Sequence, residues 1–335
     1  MSKNATNGSS HGSSEFVVGC RKSELALTQA RMVISKLTSA MSLPPTFRIA
    51  TGSAAGDADK TTPFLQLSKQ QGGSDVGKSL WTNDLEKSLL AGDAHFLVHC
   101  LKDMPTTLPP KCLLAAVPER EDPTDAVIMR TGSQFTSIDQ LPAGSVVGSS
   151  SSRRRALIRM NWPHLKVAEC RGNVDTRLAK LDAPSSPFAC ILLATAGLSR
   201  LGLEHRITQR LDPSTFPYAV GQGALGIEVR TDCEDIVHLV RHTDHKPSRW
   251  PCIAERAMLR SLQGGCSSPI GVYSSWDPAV GNKLRLQATV IDMEGTARIF
   301  AEDECLVDDD EAAEQLGISV ADLLVKKGAE QLLRK

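Results

Sequence analysis

The sequence predicts an α/β fold with mostly parallel sheets, followed by a small α+β domain. Two observations carry this. From residue 16 to about 200, short aliphatic and β-branched runs alternate with stretches whose apolar residues recur at helical spacing. The final ~80 residues drop that alternation for a helix, three strands in succession and a closing helix.

The elements follow in order. Residues 16–18 form a first strand. Ser23 is placed to cap a helix on which Leu27, Ala30, Ile34, Leu37 and Met41 fall near one face, and Pro44-Pro45 ends it. A strand covers 47–50. Asn83-x-x-Glu86 has the form of a capping box and opens a helix to Leu90. Further strands fall at 96–98, 113–117, 126–129, 146–147, 167–170 and 188–193, with helices between several of them. A helix over 253–262 then precedes strands near 271–274, 284–291 and 297–301. An acidic turn at 308–310 caps a last helix from Glu311 to Leu324 or beyond. Residues 1–14 are rich in Ser, Gly and Asn and read as a disordered tail, with neither the apolar segment of a secretory signal nor the Arg-rich character of a transit peptide. The nine cysteines are odd in number and lack C-x-x-C spacing, so free thiols are expected.

The 335 residues carry 38 Lys+Arg and 38 Asp+Glu, and aromatics are 4%. Neutrality and scarce aromatics disfavour a nucleic-acid binder, and no apolar run approaches a membrane span. The zero is a cancellation. Residues 148–210 hold 11 basic against 4 acidic side chains, and residues 277–314 hold 11 acidic against 3 basic. The basic region predicts a compact, multiply charged anionic partner.

Two motif matches fail on context. Residues 72–79 satisfy G-x-x-x-x-G-K-S, but polar residues 67–71 precede them where a P-loop needs a buried strand, so a Gly-rich lid is expected and nucleotide binding is not. Residues 221–226 satisfy G-x-G-x-x-G, but strand-like Ile227-Glu228-Val229 follows where a dinucleotide site needs a helix. A crossing between domains, with glycines permitting close backbone approach, is expected there.

Several segments place anion-binding chemistry at strand ends. After Val146-Val147 come Gly148, Ser149, Ser150, Ser151, Ser152, Arg153, Arg154 and Arg155: a small-residue turn and a basic helix start. After strand 167–170 come Arg171, Gly172, Asn173 and Arg177. Arg21 with Ser23 follows the first strand, and Arg200 follows the strand ending near Leu193. Lys102-Asp103 follows strand 96–98, and a lone carboxylate in a cationic cleft can stabilise a developing cation. Gly264-Gly265-Cys266 puts a sterically open thiol in a tight turn. Each segment alone also fits a plain alternative: a solvated basic face, a surface Lys-Asp pair, an inconsequential turn cysteine.

Taken together, these segments resemble the porphobilinogen deaminase (hydroxymethylbilane synthase) family over nearly the whole chain. The markers are Gly19-Cys20-Arg21-Lys22-Ser23, Val98 through Thr106, Asp122-Pro123-Thr124-Asp125-Ala126, Gly148 through Arg154, Arg171-Gly172-Asn173 with Arg177, Ala219 through Gly226, and Glu255-Arg256-Ala257 with Gly264-Gly265-Cys266. The resemblance implies two periplasmic-binding-protein-like α/β lobes plus a small C-terminal α+β domain: a tail at 1–15, a first lobe at 16–120 and 221–244 with a mobile lid about 60–81, a second lobe at 121–220, and a third domain at 245–335. It implies a dipyrromethane cofactor held through a thioether to Cys266, onto which four porphobilinogen units condense with loss of ammonia before hydrolysis releases hydroxymethylbilane. By the same resemblance Asp103 and Lys102 are catalytic. Ser150, Ser151, Arg153, Arg154, Gly172 and Arg177 bind cofactor together with Lys102 and Asp103, and Arg21, Ser23, Gln29, Arg171, Arg200 and Gln222 bind substrate. No metal, nucleic acid or membrane is implied, and a cytoplasmic monomer is. Cys20, Cys100 and Ser152 depart from the usual pattern, Arg155 adds a charge, and the lid has extra residues. A two-lobed anion binder without chemistry, and a family member that binds pyrroles without turnover, are the competing readings.

Overall fold

In the computed structural model, which describes residues 15–52, 76–262 and 268–333, the chain builds three sheets. The first body holds β1 (Glu15–Arg21), α1 (Glu24–Ser39), β2 (Thr46–Gly52), α2 (Val76–Ala91), β3 (Phe96–Cys100) and β4 (Cys112–Ala116). The second holds β5 (Asp125–Met129), β6 (Val146–Gly148), α3 (Ser152–Asn161), β7 (Lys166–Ala168), α4 (Val174–Asp182), β8 (Phe188–Ala194), α5 (Thr195–Arg200) and β9 (Gln209–Arg210). The chain then returns to the first with β10 (Leu225–Arg230) and α6 (Glu234–Arg241). It ends in a third body of α7 (Lys246–Ser261), β11 (Ile270–Asp277), β12 (Lys283–Ile291), β13 (Arg298–Leu306), α8 (Asp310–Lys326) and α9 (Ala329–Leu333).

The first two sheets share one plan. Their orders are β2-β1-β3-β10-β4 and β7-β6-β8-β5-β9. In each, three parallel strands are followed by an antiparallel strand and its antiparallel edge. The reversed strand is the one that arrives from the other lobe, β10 or β5, and a crossing chain enters the sheet backwards. The sheets are therefore half antiparallel, where alternation alone suggested mostly parallel. The fold is two α/β lobes of matching strand plan plus a small three-stranded α+β unit.

Local chemistry explains the elements. On α1, Ala26, Ala30, Val33 and Leu37 are buried along one face, and the Ser23 hydroxyl accepts the Ala26 amide at 3.3 Å. Such a cap contributes about 1 kcal/mol. Asp309 caps α8 by accepting the Ala312 amide at 2.7 Å. Three expectations are corrected. Glu15 begins β1 and is not part of a tail. Helix α2 starts at Val76, so Asn83 lies within it and opens nothing, and residues 76–81 of the expected lid are helical. Helix α7 starts at Lys246 and runs through Pro251; burial of Trp250, Pro251 and Cys252 outweighs the ~3 kcal/mol that an interior proline costs. The rest of the tail, residues 60–75 of the lid, Gly72 to Asp75 of the P-loop match, and Cys266 lie outside the described residues. No described helix is long and apolar enough to cross a membrane.

The three bodies meet at the crossing segments. Gly223 has φ +85°, and a Cβ there would sit 2.3 Å from the Glu121 carbonyl oxygen. The outgoing and returning chains pass this closely because position 223 has no side chain, and the Glu121 amide donates to the Gly223 carbonyl at 3.2 Å. A strand follows this glycine motif, as the context predicted. Glu255 of α7, fully buried, accepts two bonds from the Arg120 guanidinium (2.7 and 3.2 Å), the Gly221 amide (2.8 Å) and the Ser274 hydroxyl (2.7 Å). Burial pulls the Arg120 guanidinium down, and Glu255 more than restores it, to above its ordinary value.

Candidate active site

A cleft of about 420 Å³ lies between the lobes, with Leu259, Ser268 and Ile270 of the third body on its wall. The N-terminal ends of α1, α3 and α4 open on it through Ser23, Ser150, Ser151 and Asn173, presenting the positive ends of three helices. Every sequence-predicted site residue among the described residues lines it: Arg21, Ser23, Gln29, Lys102, Asp103, Ser150, Ser151, Arg153, Arg154, Arg171, Gly172, Arg177, Arg200 and Gln222. The carboxylates on the wall are Glu24, Asp103 and Asp175, too few for its cations. Arg155 does not line the cleft.

Asp103 ends a single 3-10 turn, Leu101–Asp103, that caps β3. The Leu101 amide donates to the Ala224 carbonyl at 3.0 Å, so the crossing segment holds this turn. The Asp103 carboxylate lies 4.0 Å from Arg21 Nη1, with its side chain 34% exposed and reachable from the cleft. Burial pushes the Lys102 ammonium below its ordinary value, and Asp103 pulls it back up. Lys102 donates to Gln222 Oε1 at 3.3 Å.

No local pattern points to what anchors Arg153 and Arg154. Asp125, fully buried at the start of β5, accepts Arg153 Nη1 at 2.7 Å, Arg154 Nε at 2.9 Å, Arg154 Nη2 at 2.6 Å and Gln222 Nε2 at 2.9 Å. Burial would raise its carboxyl, but the two guanidiniums hold it well below the usual range. Arg153 also donates to the Pro217 carbonyl and Arg154 to the Leu192 carbonyl. Much of the donor capacity of this pair is thus internal. Asp125 stands in a quoted marker segment, yet it is 28 residues from Arg153, and no local spacing links the two.

The glutamines are engaged as well. Gln222, 1% exposed, bridges Lys102 to Asp125, and Gln29, 2% exposed, meets the Cys100 sulfur at 3.1 Å. Cys100, one of the departures from the family pattern, keeps a polar contact with Gln29. Burial pushes its thiol up, and Asp103 adds to the push. Cys20 is buried in the first-lobe core, its thiol pushed up to about 11 by burial, and Ser152 is buried at the start of α3. Every described cysteine is a free thiol.

The buried Ser150 Oγ and Arg200 Nε have no hydrogen-bond partner among the described residues. Arg200 Nη2 donates to the Gly223 carbonyl at 2.6 Å. Arg177 Nε donates to the Gly172 carbonyl at 2.6 Å, and burial, reinforced by Arg154, pulls its guanidinium down to about 10. Gly172 has φ +122°, which lets its carbonyl turn to Arg177.

Residues 16–238 match the family described as "Porphobilinogen deaminase, dipyromethane cofactor binding domain", and residues 250–326 match "Porphobilinogen deaminase, C-terminal domain". The porphobilinogen deaminase of Schizosaccharomyces pombe is 42% identical over 323 residues, covering 96% of this chain and 94% of that protein. Those of Yarrowia lipolytica (43% over 321 residues, 94% and 91%) and a Synechococcus (41% over 322 residues, 96% of each) are similar throughout. Among solved structures, the methionine binding protein MetQ has a TM-score of 0.40 at 13% identity, covering 68% of this chain and 90% of its own. Two matched domains and relatives at about 40% identity over nearly the full length establish that this chain belongs to the porphobilinogen deaminase family.

Proposed function

We propose how this chain performs its family's deaminating transfer in tetrapyrrole biosynthesis. In this reading porphobilinogen units join, in the cleft between the lobes, to a dipyrromethane held through Cys266. The observation that carries it is the excess of cations on the cleft wall, with the buried Ser150 hydroxyl and Arg200 Nε unpartnered among the described residues. Porphobilinogen carries an acetate and a propionate, and a dipyrromethane carries two of each. Arginine forks and helix N-termini suit that many carboxylates. Ser268, on the cleft wall, is two residues from Cys266 in the chain.

The bound dipyrromethane supplies the primer, an electron-rich pyrrole end to which new units join. Ser150, Ser151, Arg153, Arg154, Arg177 and the Gly172 backbone hold its carboxylates and pyrrole edges. Arg21, Ser23, Arg171 and Arg200 hold the incoming unit. Asp103, the accessible carboxylate among cations, contacts pyrrole N–H groups and stabilises the positive charge that develops on substrate as ammonia leaves. Lys102 binds a carboxylate and keeps Asp103 oriented. Gln29 and Gln222, assigned to substrate from the resemblance, act in this reading mainly by orienting Cys100, Lys102 and Asp125. The domain limits at 120/121, 220/221 and 244/245, a monomeric state and a cytoplasmic setting complete the proposal.

Intact mass tests it. Protein made in cells with a working haem pathway is expected to be heavier than the bare chain by one dipyrromethane, to give the colour reaction of linked pyrroles with an acidic aldehyde reagent, and to lose both on Cys266→Ala. A bare-chain mass, or full activity in C266A, would overturn it.

A further inference from the structure

Three ionisable side chains that the proposed reaction does not use meet inside the first lobe, between α2 and the sheet. They are Glu86 of α2, His99 of β3 and Glu228 of β10, exposed to 4%, 5% and 0%. In the antiparallel β3–β10 pair, His99 faces Gly226 and Leu97 faces Glu228, so His99 and Glu228 are diagonal neighbours on one side of the sheet. His99 Nε2 stands 3.0 Å from Glu228 Oε2, at ion-pair distance but out of line for a hydrogen bond. Thr82, one turn before Glu86 on α2, is 1% exposed. Its Oγ1, Glu86 Oε1 and Glu228 Oε1 have no well-formed hydrogen bond among the described residues.

Two carboxyls and one imidazole in such a pocket cannot all take their usual charges without burying net negative charge. A proton on Glu86 removes one of those buried negative charges. Burial pushes the Glu86 carboxyl up, and Glu228 adds to it; Thr82 and His99 pull the other way. The surroundings offer little relief. On β4, the Cys112 thiol is pushed up to about 12 by burial and then by Glu228. Arg230, at the end of β10, is turned to Asp232, Cys233 and the Leu89 carbonyl. Arg21, at the end of β1, and Lys102 lie on the cleft wall with Asp103. On α2 itself, Asp84 and Lys87 pair with each other at the surface.

Position gives this cluster a consequence. Helix α2 packs against β1, β3, β10 and the Leu101–Asp103 turn, and Thr82 and His99 reach the cleft wall. We propose that Glu86, His99 and Glu228 act together as a proton-dependent latch that seats α2 on the cleft floor and so positions the Lys102–Asp103 turn. With the Glu86 proton in place the pocket holds one buried charge fewer and α2 is seated. As pH rises through the range between the ordinary carboxyl value and the raised one, the fold must hold Glu86 as a buried carboxylate. The seating weakens, and the turn loses the helix behind it. Below that range the latch is fully formed.

Glu86→Gln keeps the shape of the side chain and removes its charge, and Glu86→Leu removes polarity as well. Amide hydrogen exchange over α2, in the full chain without substrate and corrected for intrinsic rate, reads the latch directly. Wild type is expected to lose protection in α2 by roughly tenfold between about pH 5 and pH 8.5, with both variants nearly flat. Turnover should show the same contrast, as an alkaline fall in kcat with KM little changed that E86Q blunts. A wild-type profile without extra loss in α2, or the same loss in both variants, would overturn the latch. The kinetic arm rests on the reaction proposed above and the exchange arm does not: an inactive wild type would count against the reaction, and an unchanged exchange profile against the latch.

Discussion

Replacing Asp125 with asparagine puts the anchoring of the cleft to a quantitative test. Asp125 carries one negative charge, has no exposed surface and accepts four hydrogen bonds, three of them from Arg153 and Arg154. Asparagine fills the same volume. It leaves two buried guanidiniums without a counter-charge and turns an N–H group toward one of them. Adding four charge-assisted bonds separately would overcount, since they share one carboxylate; removing one partner of a buried ion pair costs about 3–5 kcal/mol in total. The expected result is an unfolding free energy lowered by that amount, read as a lower urea midpoint at unchanged m, with early exchange over α3, β5 and β8. Acid behaviour supplies a second arm. The Asp125 carboxyl is depressed in the fold, so its stabilisation is present above the unfolded value near 3.9 and is lost as pH falls below it. D125N should lack that acid-sensitive component. An unfolding free energy within about 0.5 kcal/mol of wild type, with an unchanged acid profile, would refute the anchoring argument.

Other outcomes follow from the same geometry. Asp103→Ala should leave melting within a degree or two and cut turnover by orders of magnitude, read by single-turnover release of ammonia; a normal rate would remove Asp103 from the chemistry. Glu255→Gln should cost about 3–5 kcal/mol, because Arg120 is then buried without its partner; urea unfolding checks it, and a change under 1 kcal/mol would mean the crossing is held elsewhere. Gly223→Ala should lower the melting temperature by several degrees, since the left-handed backbone alone costs about 1 kcal/mol and the new methyl meets the Glu121 carbonyl; an unchanged melting curve would contradict the close crossing.

The legible parts of this chain were those written in local pattern. The periodicity of α1, the Ser23 and Asp309 caps, the apolar runs of β3 and β8 and the switch to strands after residue 270 each depend on a few neighbouring residues. The strand-end arginines were legible for the same reason: a basic residue just past a strand end is delivered to the same edge of a sheet whatever the rest does. Helix α6 and strand β9 were missed, the latter being two residues long and meaningful only beside β5. The start of α7 was misplaced because Pro251 signals a break, and only burial against the third sheet overrides it.

Sequence alone therefore determined the alternation of elements, the arginine-rich strand ends, Lys102-Asp103 and, through the resemblance, the family. Tertiary structure decided how charge is distributed among those residues. It set Asp125 against Arg153 and Arg154, Glu255 against Arg120, and Glu228 against His99, pairs 28, 135 and 129 positions apart (for the last, 228 less 99). A buried charge is tolerable only beside an opposite one, and which side chains share an interior is fixed by the crossing of the two lobes, which no local spacing encodes.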